Sequence, residues 1–148
     1  RGLASTPAGL LCGDYATGEL YTLDLDTFTD GGRMIRREKV TPFLSSENQW
    51  LFLDQFELGC QAGVGITSGQ GVDPQVNLEV SRDGAFTWDD AGLAGIGPMG
   101  DYETRAFWTQ LGRARSDRLV LRVTQSDPVR TGWGPGAWLR ATAGSGQL

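Results

Sequence analysis

Alternating apolar and polar residues predict a chain built from short β-strands. In residues 76–81, 119–124 and 21–25, every second side chain is apolar, which places the apolar side chains on one face of a strand. No long segment has the i, i+3, i+4, i+7 spacing of an amphipathic helix. The pattern therefore predicts an all-β protein.

A longer strand is predicted for residues 50–58. Because successive side chains of a strand point to opposite faces, the even-numbered residues of this segment share one face. Asp54 interrupts that otherwise apolar face, whose other members are Trp50, Phe52, Phe56 and Leu58.

Clusters of Gly and Asp divide the strands. Residues 14–18 separate two apolar runs, as expected for a hairpin loop, and Gly31 and Gly32 end the next segment. We predict that residues 1–32 form a β-hairpin lead-in, or the end of a preceding β-propeller in a longer chain. Residues 33–148 are predicted to form an antiparallel β-sandwich, because many short strands with frequent turns favour that architecture.

Composition argues against several classes of protein. With 148 residues, the chain has the size of one domain, or of one domain plus a fragment of another. Histidine is absent, which excludes Ser–His and Cys–His nucleophile pairs, and two cysteines are too few for a Cys-only zinc site. No run of 18 apolar residues is present, so no transmembrane helix is predicted. We therefore expect no catalytic residue, no bound metal, no cofactor and no membrane partner.

Charge is distributed unevenly along the chain. The net charge is −5, but residues 105–148 contain two acidic and seven basic residues, and all seven are Arg. One interpretation is an Arg-rich face for a partner or a nucleic acid, because guanidinium groups make forked contacts. The other is a set of ordinary solvated strands encoded by a GC-rich genome. The arginines are not interleaved with aromatic residues in the way that binds single-stranded nucleic acid.

The acid pairs and the glycine-rich stretch do not form a catalytic motif. Adjacent Asp89 and Asp90 point to opposite faces of a strand, whereas Asp24 and Asp26 lie where Asp is favoured for local hydrogen bonds. Calcium binding by these acids stays open, although no EF-hand spacing is present. Residues 63–71 lack the Lys-Ser/Thr of a phosphate-binding loop and are predicted to form a connecting loop.

The most specific short signal is a turn motif in residues 81–88, which read Ser-Arg-Asp-Gly-Ala-Phe-Thr-Trp. It resembles the Asp-box, S-x-D-x-G-x-T-W, of sialidase-like β-propellers, although Ala85 stands where Gly is usual. We expect the carboxylate to accept backbone N–H groups within the turn, the glycine to supply an unusual φ and the Trp to fold back onto the hairpin. The motif residues are Ser81, Asp83, Gly84, Thr87 and Trp88.

The turn motif begins a longer ordered pattern. It is followed by I-G-x-x-G-x-Y-x-x-R-x-x-W-x-x-L-G-x-x-R and by a strand that ends in V-T-x-x-x-P-V. In this order the pattern resembles the C-terminal region of the packaged-DNA stabilisation proteins of short-tailed bacteriophages. Residues 18–24 and 28–32 resemble the stretch that precedes that region. Beyond the turn motif, the matching residues are Ile96, Gly97, Gly100, Tyr102, Arg105, Trp108, Leu111, Gly112, Arg115, Val123, Thr124, Pro128 and Val129.

The resemblance implies a non-enzymatic structural protein of the phage tail, a head–tail connector component. Proteins of this kind assemble as several copies below the portal and its adaptor ring, close the channel after packaging and retain the DNA. The implied partners are copies of this chain, the portal and adaptor, the tail needle or spike, and packaged DNA that passes through the channel. The implied location is the virion tail, after assembly in the host cytoplasm.

Within the family-like strand motif, spacing assigns the side chains to faces. Tyr102 and Trp108 are expected in the core, and Arg105 is expected to face a neighbouring loop or subunit. The full motif comprises Gly100, Tyr102, Arg105, Trp108, Leu111 and Gly112.

Possible subunit contacts follow from the arginines around the next turn. Arg113, Arg115 and Arg118 are expected either to meet the acidic N-terminal part of an adjacent copy in a head-to-tail ring or to lie on a solvated turn.

Two alternative functions stay open. A carbohydrate-binding or sialidase-like β-domain is one, because Trp133 and Trp138, predicted to lie on a loop, could form an aromatic platform. Burial of these residues at a subunit contact or at the sandwich edge is the competing interpretation. The other function is an acidic channel liner that contacts DNA.

Overall fold

The computed structural model describes residues 2–7, 9–44, 46–47 and 49–144, with Pro135 described by its backbone alone. The described residues form twelve strands and no helix, so none of them belongs to a helix that could cross a membrane. The strands are β1 (Leu3–Thr6), β2 (Gly9–Gly13), β3 (Leu20–Leu23), β4 (Thr29–Asp30), β5 (Arg33–Met34), β6 (Arg37–Val40), β7 (Trp50–Cys60), β8 (Gln75–Ser81), β9 (Asp89–Gly95), β10 (Ala106–Arg115), β11 (Val120–Gln125) and β12 (Trp133–Gly144).

Two antiparallel sheets pack against each other and form the sandwich. One sheet has the strand order β10-β7-β12, and the other has the order β6-β11-β8-β9. The alternating apolar side chains of β8 and β11 point into the space between the sheets, as the sequence predicts. The predicted all-β sandwich is thus confirmed. Its core comprises Leu51, Leu53, Phe56, Leu58, Val76, Leu78, Val80, Ile96, Ala106, Trp108, Leu111, Ala114, Leu119, Leu121 and Val123.

A bulge divides β7 into two halves. Asp54 has no partner in β12, because Leu53 and Gln55 pair with consecutive residues of that strand. One extra residue moves every later side chain to the other face. The single apolar face predicted for Trp50, Phe52, Phe56 and Leu58 is therefore wrong. The buried residues are Leu51 and Leu53 before the bulge and Phe56 and Leu58 after it.

The N-terminal strands form a separate antiparallel sheet with the order β1-β2-β3. The predicted hairpin is its β2–β3 pair, and the Asp14 carboxylate accepts hydrogen bonds from the backbone N–H of Ala16 and from the hydroxyl of Thr17 in the connecting turn. β1 is a third strand that the alternation does not predict. The placement of Leu25 on the apolar face of this strand is wrong, because β3 ends at Leu23 and Leu25 is 94% exposed.

A short hairpin connects the N-terminal sheet to the sandwich. β4 and β5 pair around Gly31 and Gly32, whose φ angles of +53° and +81° suit glycine. The predicted boundary after residue 32 falls in this turn, and the first sandwich strand, β6, begins at Arg37. The division into a lead-in and a sandwich domain stays a prediction, and residues 145–148 of that domain lie outside the described residues.

Candidate interaction surfaces

The turn between β8 and β9 is organised around the Asp83 carboxylate. The carboxylate accepts hydrogen bonds from the backbone N–H groups of Phe86 (3.0 Å) and Thr87 (2.9 Å) and from the Thr87 hydroxyl (2.6 Å). The Ser81 hydroxyl donates to Asp83 and accepts from the N–H of Ala85, both at 2.8 Å. These bonds, above all the one from the Thr87 hydroxyl, stabilise the charged form and lower the pKa of Asp83 to about 2.

Two consecutive residues of this turn adopt positive φ angles. Gly84 has φ +86°, which glycine tolerates, and Ala85 has φ +74°. Ala85 is the position where the turn motif usually has Gly, and its Cβ makes the left-handed conformation costly. The expected backbone hydrogen bonds to Asp83 nevertheless form, so this substitution does not prevent the turn.

Arg82 joins the turn to the opposite sheet. Its guanidinium donates a 2.6 Å hydrogen bond to the carbonyl of Leu111 on β10 and forms an ion pair with Asp89 on β9. Farther along the same edges, the indole N–H of Trp108 donates to the carbonyl of Gly92 at 2.7 Å. These contacts hold the edge strand of one sheet to the edge strand of the other and close this side of the sandwich.

Trp88 lies against a charged pair on the outer face of the sheet that contains β8 and β11. The Arg122 guanidinium lies 4.1 Å from the ring centroid of Trp88 and donates two 2.7 Å hydrogen bonds to Glu79. The hydrogen bond from Arg122 lowers the pKa of Glu79, and the same bond raises the pKa of Arg122. Trp88 therefore covers a fixed guanidinium–carboxylate pair beside the hairpin.

The strand motif starts in a loop. Gly100 and Tyr102 precede β10, which begins at Ala106. Tyr102 is 76% exposed and its ring lies against Gly63, where a Cβ would come within 2.7 Å of it. Burial of Tyr102 with Trp108 is therefore wrong, because strand alternation does not extend back to residue 102. Trp108 itself is buried.

The end of the strand motif forms a bulge in β10. Thr109 pairs with Gln55, and the next pair joins Gly112 to Leu53, which leaves two residues of β10 opposite one residue of β7. Gln110 and Gly112 have positive φ angles of +58° and +81°. A lone Gly inside a strand pattern is the sequence signal for such a bulge. Gly112 thus provides the positive φ angle that the bulge requires. Leu111 beside it is buried.

The outward side chains of the sheet β10-β7-β12 form an aromatic and basic surface. Cross-strand partners lie on the same side of a sheet. We call Trp50, Phe52, Phe107 and Trp138 the outer aromatic face. Four rows cross this face: Phe107–Glu57–Trp138, Thr109–Gln55–Arg140, Arg113–Phe52–Thr142 and Arg115–Trp50–Gly144.

An ion pair lies at one end of the outer aromatic face. Arg105 donates to Glu57 on β7, with 2.8 Å between Nε and Oε1, so its partner within the chain is a strand of the same sheet. An open depression of about 360 Å³ adjoins the pair. Sequence reasoning identifies Arg105 but misses Gln55, Glu57 and Arg140, because single polar residues on an outward strand face look like ordinary solvated positions. The depression is lined by Gln55, Glu57, Arg105, Trp138, Leu139 and Arg140.

The three arginines predicted as subunit contacts lie at the end of β10 and in the next turn. The Arg113 guanidinium is 5.1 Å from the ring centroid of Trp50. Arg115 and Arg118 approach the Asp117 carboxylate to 3.6 Å and 3.7 Å. All three arginines are exposed, so their positive charge is presented to solvent. A role in subunit contacts stays a prediction.

The two tryptophans near the C-terminus do not form one platform. The predicted loop is wrong, because both residues belong to β12, where irregular pairing accommodates Gly134 and Gly136. Trp133 packs against the core, whereas Trp138 is 55% exposed on the outer aromatic face.

The acidic pairs make local contacts. Asp24 accepts hydrogen bonds from the N–H of Asp26 (3.2 Å) and the hydroxyl of Thr27 (2.9 Å), as predicted for a turn. Asp90 accepts from the N–H of Gly92 at 3.0 Å. Within the described ranges, no three Cys, Asp or Glu side chains are grouped so that they could hold a metal ion.

The fold and these surfaces define an all-β sandwich whose notable groups organise turns, join sheet edges or lie exposed on a sheet. Residues 36–134 match the family described as "Bacteriophage P22 Gp10, beta-sandwich". The match covers more than half of the chain, and the chain belongs to this family. No curated protein matches the chain.

The family match confirms the predicted resemblance to phage packaged-DNA stabilisation proteins and the predicted β-sandwich. The protein is a bacteriophage virion structural protein.

Proposed function

We propose that copies of this protein assemble as a ring in the phage tail, below the portal and adaptor, where they close the channel and retain the packaged DNA. The observation that carries the proposal is the match of residues 36–134 to a phage structural β-sandwich family. The portal and adaptor on one side and the tail needle or spike on the other are the proposed neighbours, and DNA passes through the channel during packaging. Assembly takes place in the host cytoplasm.

Charge separation within the chain supports contact between copies. Arg113, Arg115 and Arg118 are exposed at one end of the sandwich, whereas residues 2–32 contain five acidic residues and no Lys or Arg. Opposite charges on two different surfaces favour a head-to-tail contact, which generates a ring if the rotation between copies closes.

Sedimentation velocity tests this assembly. We expect the wild-type chain to sediment as an oligomer. Its copies should dissociate more readily as the salt concentration rises, because salt screens exposed charges. Arg113→Glu with Arg115→Glu should raise the dissociation constant by about tenfold or more, since close charge reversal replaces attraction by repulsion. Arg36→Glu with Arg130→Glu is the matched control, because both arginines are exposed outside the cluster. Equal assembly of the two double variants, or a wild-type chain that stays monomeric, would contradict the proposal.

A carbohydrate-binding domain is the second candidate function. The observation that favours it is Trp138, whose exposed ring adjoins the Glu57–Arg105 pair and the open depression beside it. A flat apolar ring beside planar polar groups suits a sugar, and sites of this kind combine aromatic walls with few polar groups. A glycan array tests it: specific binding that is lost in Trp138→Ala supports this candidate, and no binding by the wild-type chain removes it.

A further inference from the structure

We propose that the outer aromatic face of one copy docks onto the N-terminal sheet of the next copy. This inference rests on the ring assembly proposed above and names the two surfaces that would form its repeating contact. It adds an apolar centre to the interaction between arginines and acidic residues.

The first surface is the outer aromatic face with its surrounding arginines. Trp138 is 55% exposed and Phe107 is 52% exposed, and both flank Glu57 in one row across the sheet. Exposed aromatic residues in a contiguous group mark interaction sites more often than scattered ones do. Trp and Arg are also the residues that contribute most to binding energy at protein interfaces.

Basic side chains frame this face. Arg140 lies in the row next to Trp138, and Arg113 and Arg115 extend the face toward the end of β10. Of these, Arg113 is stacked on Trp50, which orders its guanidinium at the surface. A partner for this face therefore needs an apolar centre and an acidic rim.

The second surface has that composition. In the N-terminal sheet, Leu10 pairs with Leu23 of β3 on one side and with Ser5 of β1 on the other. Leu3 lies two residues before Ser5 and therefore on the same face of the sheet. We call Leu3, Leu10 and Leu23 the N-terminal leucine face. Leu3 is 64% exposed and Leu23 is 52% exposed, so this face is open in the described part of the chain.

Acidic residues lie in the turns on either side of β3, the strand that carries Leu23. Hydrogen bonds from Thr17 and Ala16 lower the pKa of Asp14, and those from Asp26 and Thr27 lower the pKa of Asp24, so both carboxylates are charged at neutral pH. The acidic residues of this segment are Asp14, Glu19, Asp24, Asp26 and Asp30.

The two surfaces are not in contact within one chain. In the described ranges, strands β1, β2 and β3 contact only one another among the strands, and no sandwich strand lies against them. Among the described residues, nothing therefore separates the sheet's leucines or the sandwich's aromatic residues from a second copy. Since the surfaces differ, the contact is heterologous and repeats from copy to copy.

Complementation between two variants tests the inference. Phe107→Ser with Trp138→Ser removes the aromatic face, and Leu10→Ser with Leu23→Ser removes the leucine face. Each variant alone should sediment as a monomer, because it lacks one half of every contact. A mixture of the two should form heterodimers that grow no further, because each copy keeps one intact surface and only one productive contact remains.

Controls separate docking from folding. Phe86→Ser with Leu93→Ser changes two exposed apolar residues outside both faces and should assemble like the wild type. Circular dichroism and thermal unfolding should show that every variant is folded. Should the leucine variant fail to fold, Asp24→Lys with Asp26→Lys replaces it in the mixture and should give the same heterodimers.

The outcomes distinguish this inference from the proposed function. Heterodimers in the mixture support the inference. Two outcomes overturn the inference and leave ring assembly intact. In the first, either variant forms rings of the same size as the wild type; in the second, both variants are monomeric alone and their mixture forms no heterodimers. A wild-type chain that stays monomeric at all concentrations overturns the proposed function as well. Glycan binding that is lost with Trp138→Ser would assign the aromatic face to sugar and also overturn the docking.

Discussion

The central sandwich strands β8 and β11 and the N-terminal strand β3 have the same alternating sequence pattern but differ in what covers their apolar faces. In the sandwich, the apolar face of each sheet is buried against the other sheet, and Leu78 is fully inaccessible. In the N-terminal sheet, Leu23 alternates in the same way and is half exposed. Alternation therefore identifies the apolar face of a strand, whereas burial requires a second layer in the structure.

Truncation of one leucine in each region should give the largest difference in the free energy of unfolding. Leu78→Ala leaves a cavity between the sheets and should lower the free energy of unfolding by about 2–5 kcal/mol. Leu23→Ala removes side-chain atoms that are already in contact with water and should change it by about 0.5 kcal/mol or less. Urea unfolding of the monomeric chain measures both. Equal losses would mean that the N-terminal sheet is covered as fully as the sandwich core.

Removal of the Arg82 side chain should have a smaller effect on the sandwich. Arg82→Met leaves the carbonyls of Leu111 and Arg113 without their guanidinium donor and should destabilise the fold by about 1–2 kcal/mol. Arg36→Met is the matched control: it breaks an exposed pair with Glu38 and should cost less than about 0.5 kcal/mol. Urea midpoints that fall equally in both variants would show that the contact between Arg82 and β10 is not needed to close the sandwich.

Acid should weaken the sandwich partly through Asp83. Its pKa is about 2 in the folded protein against an ordinary 3.8, so its contribution to stability is complete above pH 3.8 and is lost as the pH falls toward 2. Asp83→Asn removes this titration and should flatten the fall of the thermal unfolding midpoint over that window. Glu103→Gln controls for the loss of one negative charge. An unchanged slope in Asp83→Asn would refute the assignment of this pH dependence to the turn.

Deletion of the N-terminal segment should have the smallest effect on the sandwich. A chain that starts after residue 34 loses the strands β1–β5, none of which pairs with a sandwich strand. The free energy of unfolding of the sandwich should change by less than about 1 kcal/mol, because stability is distributed in local units. A chain that no longer unfolds cooperatively would show that the predicted boundary near residue 32 does not separate two units.

The two central strands of the sheet β6-β11-β8-β9 could be predicted from sequence, because burial of one face makes every second side chain apolar. β8 (Gln75–Ser81) and β11 (Val120–Gln125) follow that period, and the two strands pair with each other in a regular register. The Asp83 turn is also predictable, because a short segment provides both the carboxylate and the N–H groups that bind it.

The outer aromatic face could not be predicted, because one Asp on an apolar face fits a regular strand as well as it fits the bulge that shifts the faces of β7. Asp54 is an ordinary polar residue there, and only Gly112 on the neighbouring strand hints at the irregularity. Alternation consequently predicts Phe52 as a core residue, whereas the structure shows it exposed. The predictions for Tyr102 and Trp138 are wrong for a different reason. Gly-rich segments lie near the starts of β10 and β12, so the first residue of each strand is hard to place from sequence.

The most direct test of the account is imaging of the phage particle by cryo-electron microscopy at a resolution that separates β-sheets. We predict several copies of this chain in a ring below the portal, with the N-terminal sheet of each copy against Phe107 and Trp138 of the next. Copies found singly at the periphery of the particle, or an aromatic face that points into solvent throughout such a ring, would contradict it.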